Sequence, residues 1–416
     1  MVICRNILNK RFICLIGLSI AIALNLARVP PSLPAPPKVT ELRGVWLTNV
    51  ASGVFYAPWG IERALSQLAQ LKFNTVYPVV WNRGNTFYPS SVAKKVIGRD
   101  RNLLLKILKL NQDVLAHLVK QGHRQGLRVI PWFEYGFMAP SGSAIAKRHP
   151  DWLTVRRNAS KISVDINPST ATNSKLKKVA DPMVTKGVWL NPFHPEVQQF
   201  MLNLIVEVVT NYDVDGIQLD DHFGLPSDFG YDKFTTALYK QEHQGKNPPN
   251  NPVDAQWLRW RADKLTSFMQ QVYKAVKAVK PNCLVTLSPN PQDFAYRATL
   301  QDWQTWIELG LVEELICQIY RNDKKTFVTE LQQIALQTAR QKIPVGIGIS
   351  TGSVSNPVAI KQIIQQVQWV RDRGYKGVSF FYWESLWGYI TPESPQERRN
   401  GFNSLFSGSQ PKLKKL

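Results

Sequence analysis

Eight short runs rich in β-branched and aromatic residues recur along this chain, separated by longer stretches of helical periodicity, and that alternation points to parallel α/β architecture. The strand-like runs are Arg43–Asn49, Thr75–Trp81, Arg128–Glu134, Asp215–Asp221, Cys283–Asn290, Glu314–Arg321, Pro344–Ser350 and Gly377–Trp383. Helix-like segments fall near Trp59–Leu71, Gln112–Gln125, Pro195–Asn211, Val253–Lys280, Asp302–Glu308, Lys324–Gln341 and Asn356–Arg373. Pro195 suits a first helical turn, and Gly126 and Gly374 sit where helices should stop. Eight strands with seven intervening helices predict a (β/α)8 TIM barrel over residues 41–406. A doubly wound open sheet is the alternative, but no GxGxxG follows the first strand and no P-loop occurs. Long insertions are expected after strands 3 and 4, at about 136–191 and 222–252, on the face where barrels build their grooves.

The ends of the chain speak to location. Residues 12–27 (FICLIGLSIAIALNLA) are uncharged and follow Arg5, Lys10 and Arg11, the order of a secretory leader. Residues 1–28 are therefore expected to be a signal peptide or signal anchor, 29–40 a Pro-rich linker and 407–416 a basic tail. The apolar run is short against the roughly 20 residues of a spanning helix, so cleavage and membrane anchoring both stay open. Either places the domain outside the cytoplasmic membrane, in the periplasm or on the cell surface.

A chain of 416 residues with 44% hydrophobic residues buries a large core, which excludes wholesale disorder. Its net charge of +21 favours anionic partners. Seven of those positive charges lie in the terminal segments, Arg5, Lys10, Arg11 and Arg28 around the apolar run and Lys412, Lys414 and Lys415 in the tail. Others are dispersed at 156–158, 175–178 and 323–325 without any nucleic-acid module, so no nucleic-acid partner is expected. Cys283 and Cys317 lie in apolar strands and read as buried thiols. With no CxxC, HExxH or His-rich cluster, neither metal nor cofactor is expected.

Polar and acidic residues gather at the C-terminal strand ends, where barrel enzymes place their chemistry. Strand alternation turns Gln218 and Asp220 toward the axis, with Trp132 and Glu134 beside them and Ser379, Phe381 and Trp383 on the last strand. Paired carboxylates among Trp, Asn, Tyr and Arg suit glycoside hydrolysis, which needs one acid and one nucleophile or base. The catalytic candidates are Asp220 as nucleophile or base and Glu134 or Glu384 as acid. Asn49, Trp81, Asn82, Arg83, Trp132, Asp221, His222, Asn290, Tyr320, Arg321 and Trp383 are expected to bind substrate. His222 is expected to support Asp220, while Trp46 is assigned to the core. A metal bound by Asp220, Asp221 and His222 is disfavoured, because three consecutive strand residues should not all face one ion. No GxSxG elbow supports a hydrolytic triad.

Four motifs carry a resemblance: ELRGVWLTN (Glu41–Asn49), WLNPFHPEV (Trp189–Val197), YDVDGIQLDDHF (Tyr212–Phe223) and FYWESLW (Phe381–Trp387). In this order they resemble the family-10-like glycosyl hydrolase-like proteins, TIM-barrel proteins of the bacterial envelope, over about Glu41 to Phe406. The resemblance implies a secreted or membrane-tethered glycosidase, and in one branch the cleavage of peptidoglycan glycan strands stripped of stem peptides. Asp220 matches the family's strand-4 Asp, and Glu134 and Glu384 match its acidic strand ends. Chitinase-like barrels also carry DGIxLD, but Gln218 and His222 replace two acids of their DxDxE pattern, which argues against an acetamido-assisted mechanism. The expected substrate is thus an amino-sugar polysaccharide; a non-catalytic carbohydrate-binding or scaffold barrel is the alternative.

Overall fold

The computed structural model describes residues 40–162, 186–353, 356–387 and 391–407. The leader at 1–28, the linker up to residue 39, and the tail beyond residue 407 lie outside the described residues, as does the middle of the first long insertion. All described residues belong to the compact unit Val39–Leu416. Among them, no helix is long and apolar enough to cross a membrane.

The parallel strands are β1 (Leu42–Leu47), β2 (Thr75–Pro78), β3 in two pieces (Arg128–Val129 and Trp132–Phe133), β4 (Gly216–Asp220), β5 (Leu284–Ser288), β6 (Glu314–Gln318), β7 (Val345–Ser350) and β8 (Gly377–Phe381). The two pieces of β3 form opposite edges of one nine-segment sheet. Because they are one continuous run, the sheet closes on itself through β3. Thr75 and Val76 pair with Arg128 and Val129 on one side, and Trp132 and Phe133 with Gln218 and Leu219 on the other. The order around the barrel is therefore sequential, β1 to β8, as a (β/α)8 fold requires. Pro131 causes the interruption: it has no N–H to donate, although its carbonyl still accepts from Gln218 at 2.8 Å.

The outer layer contains α1 (Gly60–Gln70), α2 (Val114–Arg124), α3 (Pro195–Asn211), α4 (Ala255–Val279), α5 (Trp303–Glu308), α6 in two pieces (Lys324–Leu331 and Ile334–Lys342), α7 (Ile360–Asp372) and α8 (Pro395–Phe406). Gly126 and Gly374 take the left-handed conformation just past α2 and α7, as expected of helix stops. The expected count of seven helices omits α8, whose Phe402 and Phe406 pack on Phe73 and Phe380. Its start was legible in Ser394-Pro395-Gln396-Glu397, a capping box with proline in the first turn. A further insertion, also not anticipated, follows β2 and carries helices Ser91–Ile97 and Leu103–Leu108. The carboxylate of Glu207 on α3 pins it, accepting from Ser91 N at 2.8 Å and from Tyr88 Oη at 3.2 Å.

The barrel interior is stacked in layers. At the bottom, Arg128 Nη2 donates to both oxygens of Glu314 at 3.2 and 3.1 Å, and its Nε donates to Thr75 at 3.0 Å. Above this, Trp46 packs on Tyr77, Trp132 and Phe381, and its Nε1 donates to Gln218 Oε1 at 2.7 Å. Room for the indole comes from β7, where a Cβ added at Gly348 would sit 3.2 Å from Trp46 Cη2. Trp46 is thus a core residue, and Gln218 faces inward as alternation predicts. Cys283 and Cys317 are both free and buried.

Candidate active site

The top layer holds the acids. Phe133 and Leu219 are register partners, so Glu134 and Asp220, the next residue of each strand, leave neighbouring backbones side by side and point inward. Both are buried, at 6% and 4% exposure. Glu134 accepts from Thr48 Oγ1 at 3.1 and 3.0 Å and from the amide of Asn82. Asp220 receives two donors on Oδ1, Ser288 Oγ at 2.5 Å and Gln318 Nε2 at 2.8 Å. Among the described residues, its Oδ2 carries no hydrogen bond.

Burial pushes both carboxyls upward, because it disfavours the charged form. Glu134 rises to about 7, the donors Thr48 and Asn82 and the cations His222 and Arg83 opposing the rise. Asp220 is also held well above its ordinary value: burial is again the main cause, and the neighbouring charges of Asp221 and Glu134 add to it. Burial of both groups and the like charges beside Asp220 thus favour a proton on the pair. Tyr320 lies within the field of Asp220, Asp221 and Glu134, and burial with these like charges keeps its hydroxyl protonated. It stacks on Phe381 at 5.6 Å.

Glu384 is held by the loop after β1. β8 ends at Phe381, the Phe381–Tyr382 peptide is cis, and Trp383 and Glu384 begin the one-turn helix Trp383–Leu386 rather than extending the strand. Glu384 Oε1 accepts from Ser52 Oγ and from Val54 N at 3.1 Å, both in the loop after β1. Burial raises it too, opposed chiefly by Ser52 and loop amides.

Asp221 and His222 form a second tier. His222 Nδ1 lies 2.8 Å from Asp221 Oδ1, and Asn290 Nδ2 donates to Asp221 Oδ2 at 2.9 Å. The imidazole thus pairs with Asp221. It stacks between Tyr135, at 5.1 Å, and Trp189, at 5.8 Å. One ligand atom each from Asp220, Asp221 and His222 lies within 4.8 Å of the others. The expectation that consecutive residues cannot converge is therefore corrected: the chain turns immediately after Asp220, which ends β4.

Two candidate substrate residues point elsewhere. Trp81 is fully buried, donating to Gly136 O at 2.8 Å and packing on Phe200 of α3. Arg321 pairs with Glu330 of α6 at 3.1 Å. Asn49 is half-buried and bonds to Tyr56, whereas the β1 residue facing Glu134 is Thr48. Alternation could have chosen Thr48, since Gly44 and Trp46 face inward. Tyr135 and Trp189 were also not anticipated. Trp132, Trp189 and Trp383 each bury an indole N–H without a partner among the described residues, groups of the kind that sugar hydroxyls satisfy.

Comparisons with known proteins agree with this geometry. The family model described as Glycosyl hydrolase-like 10 matches residues 41–371. Glycosyl hydrolase YngK of Bacillus subtilis is 22% identical over 319 residues, covering 67% of this chain and 54% of that protein. The chain thus spans about half the length of this relative. Glycosyl hydrolase DigH of Escherichia coli is 25% identical over 342 residues, covering 70% of this chain and 69% of that protein. Among solved structures, the PgaB (BpsB) glycoside hydrolase domain from Bordetella bronchiseptica superposes with a TM-score of 0.60 at 13% identity, covering 89% of this chain and 100% of that one. That last likeness speaks to the fold.

Proposed function

This chain belongs to the glycosyl hydrolase-like 10 family, and on that premise we propose that it hydrolyses glycosidic bonds in an amino-sugar polymer of the cell envelope, the glycan backbone of peptidoglycan. The observation that carries the reading is the buried pair of Asp220 and Glu134 at adjacent strand ends, both of whose carboxyls burial pushes upward.

Asp220 gives its proton to the glycosidic oxygen from Oδ2 as the C–O bond breaks. Glu134, ionised, attacks the anomeric carbon and forms a glycosyl ester. A water then displaces that ester, losing its proton to Asp220, so the cycle adds one water across the bond and returns both acids to their starting states. Tyr320, kept protonated, is a donor for charge that develops between them. The leader expected at 1–28 supports action outside the cytoplasmic membrane.

The test is the release of reducing ends from peptide-free glycan strands by purified protein, with Asp220→Asn and Glu134→Gln as comparisons. Release by the wild type and its loss in both variants is expected. Glycan binding with no release by the wild type would instead identify a non-catalytic carbohydrate-binding barrel.

A further inference from the structure

A cavity of about 860 Å³ is lined by Arg83, Arg99, Lys147, Arg148 and Lys186 and, among the described residues, by no carboxylate. Separate segments converge on it. Arg83 occupies a two-residue hairpin turn with Gly84, both at positive φ, between the paired Trp81–Asn82 and Asn85–Thr86. Arg99 follows the helix Ser91–Ile97, and the others come from the insertion after β3.

Arg99, Lys147, Arg148 and Lys186 are exposed, and none is in an ion pair among the described residues. Asp100, next to Arg99, is already paired with Arg101 at 2.9 Å and Lys106 at 3.1 Å. Like charges drawn from three segments into one concavity repel each other, and an anion in that concavity relieves the repulsion. Arginine adds a planar fork that fits a carboxylate.

Arg83 connects the cavity to the chemistry. Its guanidinium lies 5.8 Å from the centre of the Tyr135 ring, with Nε 3.4 Å from the Tyr135 hydroxyl. Tyr135 stacks on His222. The preceding residue, Asn82, donates to Glu134, and the charge of Arg83 acts on Glu134.

We propose that this cavity is a subsite for a carboxylate-bearing sugar of the substrate, seated beside the sugar whose linkage is cleaved. The inference rests on the envelope-glycan reading and sharpens it. Peptide-free peptidoglycan carries a lactyl carboxylate on every second sugar, whereas chitin shares its β-1,4 amino-sugar backbone without that charge. The site would select the former.

The double variant Arg99→Ala/Lys147→Ala tests this, since both side chains are exposed. Affinity for peptide-free glycan fragments and for chito-oligosaccharides is measured by calorimetry in the Asp220→Asn background, and kcat and KM in the active protein. The double variant is expected to weaken binding of the acidic glycan about tenfold at low salt and to raise KM to match, with kcat unchanged. Chito-oligosaccharide binding should not change, and high salt should erase the difference. Equal weakening for both glycans, no change for either, or failure of the acidic glycan to bind would overturn the subsite. If the wild type cleaves neither glycan, the proposed activity fails, and the calorimetric difference still decides the cavity.

Discussion

Leu219 and Phe133 face one another across a parallel rung, and the residues that follow them, Asp220 and Glu134, share the next step on the inner side. Neighbouring strands run about 4.8 Å apart, a backbone spacing closer to the roughly 5–5.5 Å carboxyl separation of retaining glycosidases than to the roughly 6.5–9.5 Å of inverting ones. The first product released should therefore keep the anomeric configuration of the substrate. Proton NMR of the fresh reaction decides it, and an inverted product would remove Glu134 as nucleophile.

The activity should depend on pH in a way that follows from Glu134. It must be ionised to attack, and it is raised to about 7, so kcat/KM should climb as pH rises through about 7. The opposite limb belongs to Asp220, which must keep its proton and whose carboxyl burial holds well above its ordinary value. Replacing either acid by its amide should lower kcat by about 10²–10⁴. A wild-type profile flat from pH 5 to 8 would contradict the assignment.

Stability should respond to the same group in the opposite sense. A carboxyl raised from 4.5 to about 7 on folding binds its proton more tightly in the native state. Its stabilising effect is full below pH 4.5 and is lost as pH rises through about 7. The difference is on the order of 3 kcal/mol. Glu134→Gln should therefore melt above the wild type at pH 8 while being nearly equal to it near pH 4.5, as read by thermal unfolding at both values. Equal melting at pH 8 would show that Glu134 is not strained by its burial.

At the other end of the barrel, Arg128 and Glu314 form a buried ion pair at 8% and 5% exposure. Removing one partner leaves an uncompensated buried charge, so Glu314→Ala should cost about 3–5 kcal/mol. Arg128→Met/Glu314→Leu should recover most of that loss, because apolar replacement of the whole pair removes both desolvated charges. Chemical denaturation of the single and double variants measures the difference. If Glu314→Ala loses less than about 1 kcal/mol, the pair is not structurally important.

Much of the barrel was legible because its signals are local. Hydrophobic period and helix punctuation located all eight strands and most of the outer helices. Alternation correctly turned Gln218 inward, where it meets Trp46. The last helix was overlooked although its capping box was visible, because the polar run around it shows little apolar period. The site was only partly legible. Alternation applies within strands and stops at their ends, so it misplaced Trp383, which begins a helix. Trp81 and Arg321 are the right residue types at strand ends, yet their partners, Phe200 and Glu330, come from the helical layer. Such partnerships depend on how the layers pack, which spacing does not encode.

The walls of the groove are fastened at a few points. Arg261 of α4 is fully buried and donates to the carbonyls of Ser227 at 2.7 Å, Phe229 at 2.6 Å and Pro252 at 2.6 Å, drawing both ends of the second insertion to one guanidinium. Glu207 plays the same part for the segment after β2. Between such fastenings, loop length and composition are free to vary without disturbing the eight strands. A scaffold tied down in this way can acquire new polymer preferences by exchanging whole loops between fixed rivets, while its acids stay in register.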